Sequence, residues 1–392
     1  MTELMVRTLT PVHIGTGQVY TPYEFVFHKG TKSGKNFVAR VDMDKFYRSL
    51  SEDKKSVYIN RVRSDNDFTL ERFFRDERID NLKDVFRYLA ERTGAILPNN
   101  IKDIRECIKT ADIAYIPGSS IKGAVRTALL WKYFSRRSDE LVQKLSSEIS
   151  DRTNRKRIGK NLTDNVFSYQ HERRYDPRND IMKFLLVSDF MPEKNNRISV
   201  QSIKTWSLGR QGMAQKDFPV YAECIKKGSA FSGSISVSDQ FNAVKADDRK
   251  QIEEKFESFG LQDFYDGENL VSEIKNVVSE FNRAAFEKES HLLEKIRIKE
   301  SEYDMILRKN LNTIKSRMDN GNLIRVGFGT GTLYQTIMGI VEDNDPDLFA
   351  KIVTDLKLGK YPRQYDGLEI SPPYPKSVEI TMSYTPAGWM EW

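Results

Sequence analysis

Apolar residues alternate with polar residues in some segments of the chain and recur at helical spacing in others. Alternation at every second position is typical of half-buried strands. It predicts strands at 4–10 and 377–383, and short segments bounded by turns add predicted strands at 24–28, 36–41, 113–116, 183–190, 197–206, 218–225 and 229–237. The segments 218–225 and 229–237 are separated by Lys226-Lys227-Gly228, and this short spacing predicts a β-hairpin.

Helical spacing dominates three other parts of the chain. Apolar residues recur every three or four positions in 44–94, and 247–318 is highly charged and poor in glycine and proline. Between them, Pro117-Gly118 ends a strand, and Ser119 or Ser120 is expected to cap a helix that runs to about Tyr133. Helical blocks inserted between antiparallel strands favour an α+β fold over a doubly wound parallel sheet.

Chain length and segment order predict two domains. The chain has 392 residues, more than twice the roughly 150 residues expected per domain. We place the first domain at 1–190, with a helical insertion at about 42–112 and a polar, basic loop at about 138–180. The second domain is placed at 191–392, with a helical insertion at about 246–320.

The charge distribution adds a candidate segment for binding a polyanion. Lys and Arg number 62 against 56 Asp and Glu, and the resulting net charge of +6 identifies no partner by itself. Positive charge is concentrated in 152–178, where Phe167, Tyr169 and Tyr175 are interspersed. Arginines for phosphates and aromatic rings for bases suit single-stranded RNA, although a solvated loop could have this composition. The candidate RNA contacts in this segment are Arg152, Arg155, Lys156, Arg157, Arg173 and Arg174.

Cysteine content and hydropathy predict a cytoplasmic protein. Cys107 and Cys224 are too few and too far apart for a disulfide framework or a zinc site, which fits a reducing compartment. No run of 18 or more apolar residues occurs, and the N-terminus lacks the pattern of a signal peptide, so no membrane partner is expected. The 4 histidines show no metal-ligand spacing, and no cofactor is expected.

The segment 115–126 (YIPGSSIKGAVR) could present the N-terminus of a helix to an anion. Backbone amides and the helix dipole face outward at such an end. Lys122 and Arg126 lie four residues apart and therefore share one face of the helix. Together with Ser119 and Ser120 they are candidate RNA contacts. The alternative is an amphipathic helix whose basic residues are simply solvated.

Two glycine-rich segments could hold phosphate oxygens with their backbone amides. Gly15 and Gly17 follow the first predicted strand, and Gly327, Gly329 and Gly331 lie near the end of the chain. Neither segment matches the dinucleotide fingerprint or the Walker sequence. Simple tight turns are the alternative interpretation.

His13 lies directly before the first glycine-rich segment. One hypothesis makes it the general base of a metal-independent ribonuclease, which would require a second acid or base nearby. No such partner is identifiable in the sequence. The other hypothesis is a histidine that bonds to the backbone or stacks on a nucleotide. His13 is therefore a candidate RNA contact, and no residue is predicted to be catalytic.

Three motifs together resemble the RAMP superfamily of CRISPR proteins. They are TLTPVHIGTGQVY at 8–20, YIPGSSIKGAVRTALL at 115–130 and RVGFGTGTLYQT at 325–336, in this order along the chain. The opening motif and the chain length are most similar to the fifth subunit of type III-A (Csm) effector complexes.

The resemblance implies two ferredoxin-like domains of the RNA-recognition type, with helical insertions and a glycine-rich loop near the C-terminus. It also implies a place at the end of the complex, next to the 3′ side of the guide RNA (crRNA). The implied partners are the crRNA, the neighbouring RAMP backbone subunit and host nucleases that trim the 3′ end. Subunits in this position support crRNA maturation and antiviral defence.

One departure from the superfamily pattern bears on catalysis. The backbone subunit of these complexes cleaves target RNA with an aspartate in the loop after its first strand. Here the corresponding segment 18–25 (QVYTPYEF) contains no aspartate, and Glu24 is its only acid. The resemblance therefore implies a non-catalytic RNA-binding subunit. Two alternatives are a guide-processing ribonuclease that uses His13 and an assembly scaffold that works without RNA.

Overall fold

Two β-sheets form the centre of the computed structural model, and helices pack against them. This mixture confirms the predicted α+β fold class. The structure describes residues 2–30, 34–79, 82–93, 96, 101–150, 158–169, 176–194, 198–209, 212–262, 264, 266–294, 301–358 and 374–392.

The strands are numbered in chain order, and most of them coincide with segments of alternating polarity. They are β1 (Thr2–Thr8), β2 (Gly15–Tyr20), β3 (Phe25–Lys29), β4 (Asn36–Val41), β5 (Phe86–Arg92), β6 (Ile104–Cys107), β7 (Lys109–Thr110), β8 (Ile113–Ala114), β9 (Leu185–Val187), β10 (Met191–Pro192), β11 (Ile198–Gly209), β12 (Gly212–Gln215), β13 (Val220–Ile225), β14 (Ala230–Val237), β15 (Leu323–Arg325), β16 (Ser377–Thr381) and β17 (Trp389–Glu391).

Several helices begin at residues whose side chains cap the first turn. Asp42, Ser51 and Thr69 each accept a hydrogen bond from a backbone amide three residues later. The helices are α1 (Met43–Ser49), α2 (Glu52–Ser64), α3 (Leu70–Asp76), α4 (Gly118–Ser135), α5 (Ser138–Ser150), α6 (Lys160–Phe167), α7 (Ala246–Ser258), α8 (Gly267–Glu294), α9 (Ser301–Asn320), α10 (Met338–Asn344) and α11 (Pro346–Asp355).

The first sheet has the strand order β10-β14-β1-β17-β15, and β9 also pairs with β14. Along β1, Leu4 and Val6 are buried while Met5 is exposed, so one face of the sheet belongs to the core. Helix α8 lies against β1, β14 and β15, and α4 lies against both α8 and β9. The first and last strands of the chain therefore meet in one sheet.

The second sheet has the order β2-β6-β13-β11-β5-β4-β3. Strands β12 and β16 also pair with β11, which is long enough to hold partners along its whole length. Strands β1 and β5 both pair with strands from beyond residue 190, namely β14 and β11. The division into domains 1–190 and 191–392 stays a prediction.

The predicted hairpin of 218–225 with 229–237 is wrong, although both strands form. Strand β13 pairs with β11 and β6 in the second sheet, whereas β14 pairs with β1 in the first. Thr8 stabilises the crossing between the sheets, because its hydroxyl donates to the Lys226 carbonyl at 2.6 Å and its carbonyl accepts from the Gly228 amide at 2.7 Å. A partner at the other end of the sequence cannot be read from local spacing.

The insertion predicted at 42–112 is helical in its first part. Helices α1 to α3 enclose a separate apolar cluster that includes Phe46, Phe73 and Phe74. The helical prediction is wrong for 86–92, which forms β5 between β4 and β11. The segment contains apolar residues at both helical and alternating spacing, and pairing with two neighbouring strands decides between them.

The prediction of a loop at 138–180 is wrong for 138–150 and 160–167, which form α5 and α6. The polar composition concealed one apolar stripe, since Leu141, Leu145 and Ile149 recur every four residues and are buried. Tertiary packing of this stripe stabilises the helix.

Two predictions from composition can be compared with the structure. Within the described ranges, no helix has the length and apolar character needed to cross a lipid bilayer. Cys107 and Cys224 are both free thiols and are both buried.

Candidate nucleic-acid interface

The loop after β1 is attached to the C-terminal strand by backbone hydrogen bonds. The Leu9 amide donates to the Trp389 carbonyl at 2.8 Å, and the Gly388 amide donates to the Pro11 carbonyl at 2.9 Å. The Trp389 amide donates to the hydroxyl of Thr10 at 3.0 Å. These bonds hold the loop in one position although Pro11 prevents it from continuing as a strand.

The glycine-rich loop lies directly on this first loop. The Phe328 amide donates to the His13 carbonyl at 2.8 Å. Gly327 has φ +84°, and a Cβ at this position would lie 2.3 Å from the His13 carbonyl oxygen. Only glycine accommodates both the conformation and the approach. The two glycine-rich segments predicted from sequence therefore belong to one structural unit.

A buried arginine fixes the conformation of the glycine-rich loop. Arg325 is 2% exposed and donates to the carbonyl of Gly329 at 3.0 Å and to that of Ala387 at 2.9 Å. Its charge is paired with Glu289 at 2.6 Å. Because the Arg325 guanidinium holds both carbonyls, the glycine-rich loop has a defined shape. Among the described residues, none forms a hydrogen bond with the backbone amides of Gly329 and Gly331.

Phe328 in the glycine-rich loop forms a cation–π contact with Arg105. Its ring packs on a small apolar cluster of the second sheet formed by Ile203, Ala222 and Cys224. The guanidinium of Arg105 lies 4.6 Å from the ring centroid. A half-exposed aromatic ring beside an arginine is a surface on which a nucleotide base and its phosphate can both be bound.

The environment of His13 favours a structural role over catalysis. The residue is 3% exposed, and its Nδ1 donates to the Glu223 carbonyl at 2.6 Å. Burial lowers the pKa of the imidazole, and the hydrogen bond to this carbonyl opposes that shift. The Gly15 position is close to the ring, since a Cβ there would lie 2.9 Å from Nε2.

Beneath His13, Glu223 organises a buried polar network. Its side chain is fully buried and accepts hydrogen bonds from the Tyr20 hydroxyl at 2.9 Å and the Tyr88 hydroxyl at 2.7 Å. The Cys107 amide donates to it at 3.1 Å, and Lys109 forms an ion pair with it. Burial raises the pKa of both phenols, so they remain donors. Strands β2, β5, β6 and β13 are thereby joined under the candidate site.

The segment Gly15 to Gly17 differs from the predicted turn. It begins β2, where the pairing with β6 shifts register between Gly15 and Val19. Such a bulge re-aims the backbone of one strand. Gly17 has φ +85°, is exposed, and would meet no neighbour with an added Cβ. This segment forms an open backbone surface next to His13.

The opening of α4 departs from the prediction in its capping. Ser119 and Ser120 lie inside the helix, and the N-cap residue is Pro117, which offers no side-chain acceptor. Instead the carboxylate of Asp189 accepts the hydrogen bond of the Gly118 amide at 2.8 Å. The sequence could not reveal this cap because Asp189 is distant along the chain. A carboxylate therefore already occupies part of the predicted anion site.

The two cations of α4 have different surroundings. Arg126 forms an ion pair with Asp180 at 2.8 Å and lies 3.8 Å from the ring centroid of Phe167. Lys122 is partly buried, and burial lowers the pKa of its ammonium group. Asp180 thus lies close enough to act on both cations, through an ion pair with Arg126 and through its charge on Lys122.

The helix opening is tethered near the other two segments. The Ile108 amide donates to the Ile14 carbonyl at 2.7 Å, and the short pair β7–β8 brings Ala114 back opposite Lys109. Gly118 follows Ala114 by four positions, a span of at most about 14 Å. The loop after β1 and the glycine-rich loop are in direct contact. Helix α4 begins within about 14 Å of Ala114 in the β7–β8 pair, which is itself attached to the loop after β1 through Ile108.

Other predicted contacts lie outside the described residues. They are Arg152, Arg155, Lys156, Arg157, Arg173 and Arg174.

Glu24, the only acid of the segment 18–25, forms an ion pair with Arg40 at 2.7 Å. Within the part of the chain that the structure describes, no three His, Cys, Asp or Glu residues are grouped to hold a metal ion.

Sequence reasoning missed Arg105, Phe328, Glu223 and Arg325 as contributors to this site. Phe328 was signalled by its place between two glycines of the C-terminal motif. Glu223 was signalled as an isolated acid within an apolar strand, where a charged residue normally requires a partner. No local signal marked Arg105.

The fold is that of a known class. The family model of the RAMP superfamily matches residues 5–333, and the chain belongs to this superfamily. The resemblance drawn from the three motifs is thereby confirmed.

Two curated relatives bear the name CRISPR system Cms protein Csm5. The protein of Methanocaldococcus jannaschii is 24% identical over 352 residues, which cover 88% of this chain and 74% of the relative. The protein of Streptococcus thermophilus is 28% identical over 237 residues, which cover 57% of this chain and 60% of the relative.

Two solved structures share the fold. One is a chain from a cryo-EM structure of a Csm–crRNA–target RNA ternary complex of a type III-A CRISPR-Cas system. It has a TM-score of 0.71 and 21% identity, and the match covers 100% of both chains. The other is the crystal structure of T. onnurineus Csm5, with a TM-score of 0.65, 18% identity and coverage of 99% of this chain and 100% of that one.

Proposed function

We propose that this chain is a non-catalytic subunit of a type III-A CRISPR effector complex that binds crRNA at the 3′ end of the assembly. The observation that carries the proposal is the contact between the loop after β1 and the glycine-rich loop, with Arg105 and Phe328 beside it. The relatives named Csm5 and the shared fold of a chain from a Csm–crRNA complex support RNA as the ligand.

The groups at this site suit the parts of a single RNA strand. The amides of Gly329 and Gly331 can donate to phosphate oxygens, and Arg105 supplies positive charge. Phe328 offers a ring for a base. A ribonuclease mechanism with His13 as general base is less well supported, because the imidazole is buried and its Nδ1 is bonded to a backbone carbonyl.

The same proposal assigns the subunit its partners. It would contact the neighbouring RAMP backbone subunit at the end of the complex. Host nucleases would trim the crRNA beyond the part that this subunit protects, so the subunit would support 3′-end maturation and antiviral defence without cutting RNA itself.

RNA binding should depend steeply on salt, and Arg105 should contribute to that dependence. Phosphate contacts release counterions, so the logarithm of affinity falls linearly with the logarithm of salt concentration. Arg105→Ala should make the slope shallower by about 0.7 for one lost phosphate contact of a single strand. Filter binding of crRNA to the purified chain at several salt concentrations measures both slopes.

A matched control is Arg63→Ala, which removes an exposed positive charge from α2. It should leave the slope and the affinity unchanged. Affinity of the native chain that does not vary with salt would contradict phosphate binding and favour the scaffold hypothesis. Specific cleavage of a repeat RNA in EDTA that disappears in His13→Ala would favour the nuclease.

A further inference from the structure

Phe218 is the most exposed large apolar residue among those described, with 88% of its surface accessible. It lies in the segment that joins β12 to β13, at the edge of the second sheet. Burying a phenylalanine side chain normally stabilises a fold, whereas this ring remains in solvent. Such exposure suggests a binding role more than a folding role.

The register of β11 explains why Phe218 projects. The Lys216 amide donates to the Thr205 carbonyl at 2.8 Å, whereas Val220 lies opposite Ile203. Two positions of β11, from Thr205 to Ile203, are thus matched by four positions of the segment from Lys216 to Val220. The two additional residues form a bulge that lifts Phe218 away from the sheet. Pro219 restricts the backbone of Phe218 to extended conformations.

This bulge adjoins the face that carries the candidate RNA site. Thr205 lies opposite Glu379, and Ile203, two positions along the same strand, belongs to the cluster under Phe328. Thr205 and Ile203 are about 7 Å apart along β11, and their side chains face the same side of the sheet.

Charged groups connect the two places. Burial raises the pKa of Glu379, and Arg105, Arg325 and Lys216 all oppose that shift, so these cations surround one carboxylate. Asp217 adds a second acid next to Phe218. Glu379 and Asp217 offset part of the positive charge of Arg105 and Lys216 at this end of the surface. An exposed ring adds an attraction for bases that does not depend on net charge.

We propose that Phe218 is a stacking site for a base of single-stranded RNA, which extends the binding surface from Phe328 along the second sheet. The inference rests on the proposed RNA-binding function and specifies how the strand continues past the glycine-rich loop. Lys216 would contact the phosphate next to the stacked base.

The test compares Phe218→Ala, Phe218→Leu and Phe218→Trp in the full chain with an unstructured oligouridine as the probe. Stacking contributes about 1–3 kcal/mol per base, so Phe218→Ala should weaken binding about 5- to 150-fold. The salt slope should not change, because no phosphate contact is lost. Phe218→Leu should behave like Phe218→Ala, whereas Phe218→Trp should retain native affinity.

Two controls separate stacking from other causes. Met305→Ala removes a residue on α9 that is 64% exposed, and it should leave affinity unchanged. An oligonucleotide with abasic positions should bind the native chain and Phe218→Ala equally.

Three results would overturn the inference. Native affinity in Phe218→Ala would remove the stacking site while leaving the proposed function intact. Normal RNA binding combined with loss of a neighbouring subunit would make Phe218 a protein contact instead. A native chain that binds no RNA would end both the inference and the proposed function.

Discussion

Glu223→Ala should lower the free energy of unfolding by about 3–5 kcal/mol, because it removes a fully buried carboxylate from a buried ion pair and leaves the Lys109 ammonium with Glu106, at 3.5 Å, as its remaining carboxylate. The side chain of Lys109 is 5% exposed and pairs with the fully buried carboxylate. The substitution also removes the acceptor of Tyr20, Tyr88 and the Cys107 amide. Urea or thermal unfolding followed by circular dichroism measures the change.

Two variants control for general effects of this substitution. Glu223→Gln keeps a side-chain oxygen for the phenols and loses the charge, so its loss of stability should be smaller. Glu302→Ala removes an exposed carboxylate at the start of α9 and should change stability by less than about 0.5 kcal/mol. Equal stability of Glu223→Ala and the native chain would contradict the buried network.

Arg325→Met should be comparably destabilising, by about 3–5 kcal/mol, since it leaves Glu289 charged and buried. It should also release the carbonyl of Gly329 and loosen the glycine-rich loop. Affinity for RNA should therefore fall even at temperatures where the variant remains folded. Unfolding curves and filter binding at one salt concentration measure the two effects separately.

The double variant Arg325→Met with Glu289→Met provides the matched comparison. Replacing a buried ion pair by apolar residues of similar size is often neutral or stabilising. The double variant should therefore be more stable than Arg325→Met, although the Tyr334 hydroxyl loses its acceptor. If the loss of stability in the double variant equalled the sum of the losses in Arg325→Met and Glu289→Met, the two residues would not be coupled.

Strand and helix positions were largely predictable where the local pattern agreed with the tertiary structure. The hairpin β3–β4, helix α4 and the charged helices α7 to α9 appear close to their predicted ranges. Each has a local pattern that already indicates its type, whichever element later packs against it. Local propensity and final packing coincide in these elements.

The errors occurred where a distant partner determined the structure. Strand β14 pairs with β1 and not with its sequence neighbour β13, and Phe86–Arg92 is a strand because β4 and β11 flank it. The cap of α4 comes from Asp189 and not from the adjacent serines. None of these partners is visible in a local window of sequence.

The candidate site was predictable in its backbone and not in its side chains. The glycines of both loops stand out in the sequence, and Gly327 is required because a Cβ at its position would collide with the His13 carbonyl oxygen. Arg105 and Phe328 come together only because β6, β13 and the C-terminal loop converge.

The most direct measurement of the central claim is a crosslinking map of crRNA in the assembled complex. The crRNA would carry 4-thiouridine at successive positions of its 3′ part, and crosslinked peptides would be identified by mass spectrometry. We expect crosslinks in 12–18 and 325–332, with the adjoining segment 216–220 next to them. Crosslinks confined to the α1–α3 lobe, or absent from this chain while its neighbours are labelled, would contradict the account.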